Sequence, residues 1–152
     1  MTTGRTHIAV IDDNPDMRSL LTDFLGAHEF TVSTFASPDE AQARLEGPLQ
    51  QSDPIHLIVS DNMMPRMTGL QFLDWLQHAN PTIPVILITA FGHEKQAADA
   101  VRMGAVDYLT KPFEVSKLIE AIRHHLGRPM PSEGKKADFN RKEGKYASGT
   151  RK

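Results

Sequence analysis

Asp61 closes an apolar run, Ile55-His56-Leu57-Ile58-Val59-Ser60, and opens a turn, Asn62-Met63-Met64-Pro65-Arg66-Met67-Thr68-Gly69. Asp12 and Asp13 close a second run, His7-Ile8-Ala9-Val10-Ile11. A third, Val85-Ile86-Leu87-Ile88, ends in Thr89, and a fourth, Val106-Asp107-Tyr108-Leu109-Thr110, leads into Lys111-Pro112. Runs of this length and branching read as buried strands. Open α/β sheets bind their ligands at the carboxyl ends of such strands. The acids, the hydroxyl and the lysine can therefore face one crevice.

Adjacent carboxylates at one strand end, with Asp61 at a neighbouring end, make an oxygen-rich pocket. Such a pocket suits Mg2+, a hard cation that keeps several waters and binds through one or two carboxylates. The cation would relieve the repulsion among the acids and bridge to a phosphoryl group. Lys111 could neutralise one phosphoryl oxygen and the Thr89 hydroxyl could donate a hydrogen bond to another. The set would stabilise in-line transfer of a phosphoryl group to Asp61, a carboxylate that is ionised at neutral pH and needs no general base. Taken singly, each residue has a plainer reading. A strand-end Asp commonly caps a helix, Thr89 could cap the helix after it, and Lys111 could be a solvated charge. Asp12 and Asp13 could be placed for the dipole of the next helix.

The elements that must position these residues alternate along the chain. Asn14-Pro15 starts a helix, with Asn as cap and Pro at the first position, and Met17, Leu20, Leu21, Phe24 and Leu25 recur at helical spacing. Phe30 to Phe35 alternates as a less buried strand. Ser37-Pro38-Asp39-Glu40 signals a second helix that fades near Gly47-Pro48, and residues 49–54 read as a surface loop. Leu70, Phe72, Leu73, Trp75 and Leu76 mark a third helix, ended by Asn80-Pro81. A polar fourth runs from His93 to Met103 and ends at Gly104. Leu118, Ile119, Ile122 and Leu126 line one face of a fifth. Five βα units imply an α/β fold, a doubly wound parallel sheet with helices on both faces and right-handed crossovers. The pattern alone leaves the strand order open.

The composition, 39% hydrophobic and 24% charged over 152 residues, is that of an ordinary soluble domain. The absence of cysteine excludes disulfides and thiolate metal sites and fits a reducing compartment. No apolar stretch approaches the roughly 18 residues of a membrane span and no signal peptide is evident, so a cytoplasmic location is expected. Residues 1–128 carry 10 Lys/Arg against 16 Asp/Glu, whereas residues 129–152 carry 7 against 3. The acidic body argues against nucleic acid as its direct partner. From Gly127 the periodicity ends, and residues 129–152 are expected to be a basic, mostly disordered tail.

The ordered set Asp12-Asp13, Asp61-x-x-Met64-Pro65-x-x-x-Gly69, Thr89-Ala90 and Gly104-Ala105-x-Asp107-Tyr108-Leu109-x-Lys111-Pro112-Phe113 resembles the receiver domain of bacterial two-component response regulators over roughly residues 5–127. Its wording is most like that of receivers in nitrogen-regulatory enhancer-binding activators. The resemblance implies a flavodoxin-like sheet of order 2-1-3-4-5 with five helices. It implies that Asp61 takes a phosphoryl group from a histidine kinase, a phosphotransfer protein or a small donor such as acetyl phosphate. Asp12, Asp13, Asp61 and the Met63 carbonyl would hold Mg2+. Thr89 and Tyr108 would be a switch pair relaying the change to the face from about His93 through Leu126, which would meet an effector protein or a second copy of the chain. Lys95, Gln96, Arg102 and Lys117 are candidates for that face. The Lys111-Pro112 bond is expected to be cis. Met63 and Phe91, both apolar, would hinder water and make self-dephosphorylation slow.

On this reading the chain catalyses only its own phosphorylation and dephosphorylation. Two receivers' uses stay open, a free-standing switch acting through protein contacts and the input module of a longer transcriptional regulator. A Mg2+-dependent aspartyl phosphatase of the haloacid dehalogenase type is the enzyme alternative, but its second Asp would stand where Met63 is. A third reading assigns function to the tail. Lys135-Lys136, Arg141-Lys142, Lys145 and Arg151-Lys152, with Phe139 and Tyr146, could meet nucleic acid or an acidic partner.

Overall fold

The structure is a computed structural model and describes residues 5–90 and 94–126. Phe91, His93 and the expected linker and tail from Gly127 lie outside the described residues.

Strands β1 (His7–Ile11), β2 (Thr31–Phe35), β3 (Leu57–Asp61), β4 (Val85–Thr89) and β5 (Asp107–Thr110) form one sheet. Its order is β2-β1-β3-β4-β5 with every pair parallel. That is the expected order 2-1-3-4-5. β1, β3 and β4 are buried along their whole length, as central strands covered on both faces must be. β2 and β5 are the partly buried edges.

The helices start where local chemistry starts them. In α1 (Pro15–Ala27) the Asn14 side chain accepts from the Asp16 and Met17 N–H groups at 2.8 and 3.2 Å. In α2 (Pro38–Glu46) the Ser37 hydroxyl accepts from the Glu40 N–H at 3.3 Å. The Glu40 carboxylate reaches one residue further back than a capping box requires, to the Ala36 N–H at 3.1 Å.

Leu49–Ser52 is a short helix, α3, where a loop was expected, so the described residues hold six helices rather than five. No apolar periodicity announces α3, because it buries no residue and Leu49 is exposed. It is held by side chains instead. Gln50 exchanges hydrogen bonds with both backbone groups of Ile55 at 3.2 and 3.0 Å, and Arg44 donates to Gln50 and to the Asp53 carbonyl.

Helix α4 (Gly69–Ala79) has a complete capping box between Thr68 and Gln71. Helix α5 (Glu94–Arg102) is followed by Gly104 at φ +119, a backbone region that suits only glycine well. Helix α6 (Val115–His125) closes the fold.

One core cluster joins Ala9, Ile11, Ile58, Val85 and Leu87 of the sheet to Ala41 and Leu45 of α2, Phe72, Leu73 and Leu76 of α4, and Ala100 of α5. The alternate positions Ile8, Val10, Leu57, Val59, Ile86 and Ile88 face the other side and are equally buried. The buried residues of α1 and α6, Leu21, Leu25, Leu118, Ile119, Ala121 and Ile122, lie outside the first cluster and supply that second cover. Leu20, grouped with the apolar spacing of α1 in the sequence, is 49% exposed and points away from both layers.

α1 ends in a Schellman motif. Phe30 N–H donates to the Leu25 carbonyl at 3.2 Å and Glu29 N–H to the Gly26 carbonyl at 3.1 Å. Glu29 therefore sits at φ +71, where a side chain is disfavoured. Glu29→Gly should stabilise the fold by about 0.5–1 kcal/mol, the relief being partly offset by the freer unfolded chain. The check is a raised urea midpoint at unchanged m-value.

Candidate functional site

From β1 the chain steps to β2 on one side, and later to β3 on the other, so the connections leave these neighbours in opposite directions. This reversal opens a crevice at the carboxyl ends of β1 and β3. Asp12 and Asp13 follow β1 directly and Asp61 is the last residue of β3. The register, with Ile11 opposite Ser60, brings them together. One carboxylate oxygen from each lies within 4.8 Å of the others. Asp12 and Asp61 are buried and Asp13 is exposed. Lys111, just beyond β5, reaches back so that Nζ lies 3.0 Å from Asp61 Oδ1. Its backbone is pinned by a 2.8 Å bond from its N–H to the Thr89 carbonyl, and the Lys111-Pro112 peptide is cis as expected.

Burial raises the Asp61 carboxyl above its ordinary range, and the Lys111 ammonium opposes that shift. Burial likewise raises Asp12, while the N–H of Asn14 opposes it. Two desolvated acids beside an exposed third need more positive charge than one lysine supplies. Oxygens bound to one Mg2+ at about 2.1 Å lie roughly 3 Å apart when adjacent, so a cluster this tight fits the ion with small side-chain adjustments. The all-oxygen donor set suits the same ion.

Thr89 Oγ1 is fully buried and has no hydrogen-bond partner among the described residues, so it is not acting as a helix cap. A buried hydroxyl without a partner is costly and marks a group whose partner is absent from this arrangement. Asp12 does serve the local backbone, since its Oδ1 accepts from the Asn14 N–H at 2.9 Å and its carbonyl accepts from Arg18 Nη1 at 2.8 Å. The Met63 side chain is half exposed beside the crevice, whereas Met64 is buried in the core. Leu87 pairs with Tyr108 and Thr89 with Thr110, so Thr89 and the half-buried Tyr108 share one face of the sheet. Farther along, Lys95 and Lys117 are exposed, and Arg102 forms an ion pair with Asp99.

Two features position Asp61, of which Gly69 stood in the sequence only as a letter of the family motif and Asn62 only as a turn residue. A Cβ on Gly69 would lie 2.8 Å from the Asp61 carbonyl and 2.9 Å from Asn62 Cα, so only glycine lets the start of α4 approach β3. Asn62, buried behind Asp61, accepts from Leu70 N–H with Oδ1 at 3.2 Å and donates from Nδ2 to Gln96 Oε1 at 2.8 Å. The signal was available only as an Asn after a strand-end acid, which turn chemistry explains equally well.

A profile of the response regulator receiver domain matches residues 8–123. The response regulator protein FleR of Pseudomonas aeruginosa is 38% identical over 129 residues, 83% of this chain and 26% of FleR. The DNA-binding transcriptional regulator NtrC of Salmonella typhimurium is 32% identical over 126 residues, 80% of this chain and 26% of NtrC. The chain thus spans about a quarter of the length of these relatives. Among solved structures, the receiver domain of NtrX from Brucella abortus superposes with a TM-score of 0.71 at 30% identity, covering 78% of this chain and 97% of that domain.

With the folded Asp61 value above its ordinary 3.8, charging it costs stability as pH rises from there through the raised value, and the cost is complete above it. Asp61→Asn should therefore be more stable than wild type at pH 7, the gap narrowing as pH falls toward 4 in urea unfolding. Mg2+ at ten times its dissociation constant should stabilise the wild type by about 1.4 kcal/mol, with much less effect on Asp61→Asn. Gly69→Ala should lose about 1–3 kcal/mol by overpacking, read in the same experiment.

Proposed function

Because this chain belongs to the receiver domains of two-component response regulators, we propose that it is a phosphorylation-activated switch in which Asp61 accepts the phosphoryl group. The observation that carries this reading is the Asp61–Lys111 pair at 3.0 Å inside the three-acid cluster. The donor is the phosphohistidine of a sensor kinase or phosphotransfer protein, or a small acyl phosphate. An ionised Asp61 oxygen attacks phosphorus as the bond to the donor breaks. From phosphohistidine the P–N bond breaks and the released imidazole takes up a proton, and from an acyl phosphate the P–O bond breaks and a carboxylate leaves. Lys111 turns its ammonium from the carboxylate to a phosphoryl oxygen. The Thr89 hydroxyl, lacking a partner in this arrangement, donates to another. Asp12, Asp13, Asp61 and the Met63 carbonyl would hold Mg2+, which supplies charge neutralisation for the transferring group. The chain itself acts only on its own phosphoryl group, and the half-exposed Met63 beside the site limits water and prolongs its lifetime.

A donor helix must bring its histidine to Asp61, so it has to rest on the rim of the crevice. Met17, Leu20, Pro112, Phe113 and Val115 line an apolar groove beside Lys111, and Leu20 is exposed there. This groove is where we place the donor. At the other end of the relay, movement of Thr89 makes room for Tyr108 to turn inward, and the surface of α5, β5 and α6 repacks for an effector or a second copy of the chain. Where the sequence continues as in FleR or NtrC, the same switch serves as the input module of a transcriptional regulator. No helix among the described residues is long and apolar enough to cross a membrane, and we place the protein in the cytoplasm.

Incubation with acetyl phosphate and Mg2+ should add one phosphoryl group by intact-mass spectrometry. Asp61→Asn and a chelator should each abolish it, and Lys111→Ala should slow it by about 100-fold. Undiminished labelling of Asp61→Asn would overturn the assignment.

A further inference from the structure

Besides a long contact from Nδ2 to Met63 Sδ, Asn62 makes four directed hydrogen bonds from one position next to Asp61. Its N–H donates to the Ile88 carbonyl at 2.9 Å and its carbonyl accepts from Gly69 N–H at 2.9 Å. Its Oδ1 accepts from Leu70 N–H, which can only donate, so the orientation of the amide is set and Nδ2 must face Gln96. The first three bonds knit β3 to β4 and to the start of α4. The fourth spans 34 residues of sequence and reaches α5, the helix that follows Thr89.

We propose that the Asn62–Gln96 hydrogen bond is a latch that holds α5 in its resting position and opposes the switch. This rests on the phosphoryl-acceptor reading above. Thr89 ends β4 and α5 begins at Glu94, so drawing Thr89 toward a phosphoryl group is expected to pull on the start of α5. Asn62 is fastened on its other side to the start of α4, through Gly69 N–H and Leu70 N–H, and neither lies on the segment that Thr89 draws. A bond made in the resting arrangement and lost in the other lowers the free energy of the resting one alone, and so weakens apparent affinity for any phosphoryl-like ligand. A net hydrogen bond of ordinary strength corresponds to a roughly three- to ten-fold effect. Asn62 and Gln96 are thus positioning residues, acting on the site through α5.

The test is the Mg2+-dependent affinity for beryllofluoride, measured by isothermal titration calorimetry on the full chain. Gln96→Leu, which removes the acceptor at similar volume, and Gln96→Ala, a smaller change at a half-buried position, should bind three- to ten-fold more tightly than wild type. Gln96→Glu, which keeps an acceptor for Asn62 and makes it charged, should bind no more tightly than wild type. Equal or weaker affinity in both Gln96→Leu and Gln96→Ala overturns the latch while leaving the phosphoryl-acceptor reading intact. Failure of the wild type itself to bind beryllofluoride overturns that reading, and the latch with it.

Discussion

Three carboxylates share a space in which their oxygens lie within 4.8 Å, two of them withdrawn from water. Like charges at that separation repel, and desolvation adds to the cost of ionising Asp12 and Asp61. One lysine, itself about a third exposed, is the only cation paired with them among the described residues. The site therefore carries unbalanced negative charge, and its chemistry follows from that imbalance. On the function proposed above, a divalent cation would offset that charge and allow a phosphoryl group, which the acids alone would repel, to approach.

Holding such a site together requires a scaffold that cannot relax the acids apart. β1 and β3 are buried on both faces and hydrogen-bonded in register, so their ends are fixed with respect to each other. The turn after Asp61 is fastened at once to β4 and to α4, and the glycine at position 69 allows that approach. Lys111 is tied through its backbone to Thr89. The rigid parts are those that carry charge. The Thr89 hydroxyl is left without a partner, and a single polar bond joins Asn62 to α5. On the function proposed above, an incoming charge would be answered at Thr89 and α5 rather than by loss of the acid cluster.

Elements with strong local signals were legible before any coordinates. The apolar runs of β1, β3 and β4, the Asn14-Pro15 and Ser37-Pro38 helix starts and the Gly104 stop are set by neighbours in sequence, and each stands where expected. The family resemblance supplied the strand order, which periodicity could not. The helix α3 was missed because side-chain bonds from Arg44 and Gln50 hold it, and these leave no periodic trace. Leu20 was grouped with the core of α1 because spacing identifies an apolar stripe but not how wide a stripe the sheet covers.

For the candidate site, sequence alone determined the cast of residues. An acid, a hydroxyl or a lysine at a strand end is a local fact, and parallel strands place all such ends on one edge. Only the tertiary structure decided which of them meet. The 3.0 Å approach of Lys111 to Asp61 depends on the order and twist of three strands. The isolation of the Thr89 hydroxyl depends on everything packed around it. The bond from Asn62 to Gln96 joins residues 34 apart through a helix position that no local rule specifies. Residue types and turns are written by near neighbours, whereas distances between side chains are set by the packing of the whole sheet.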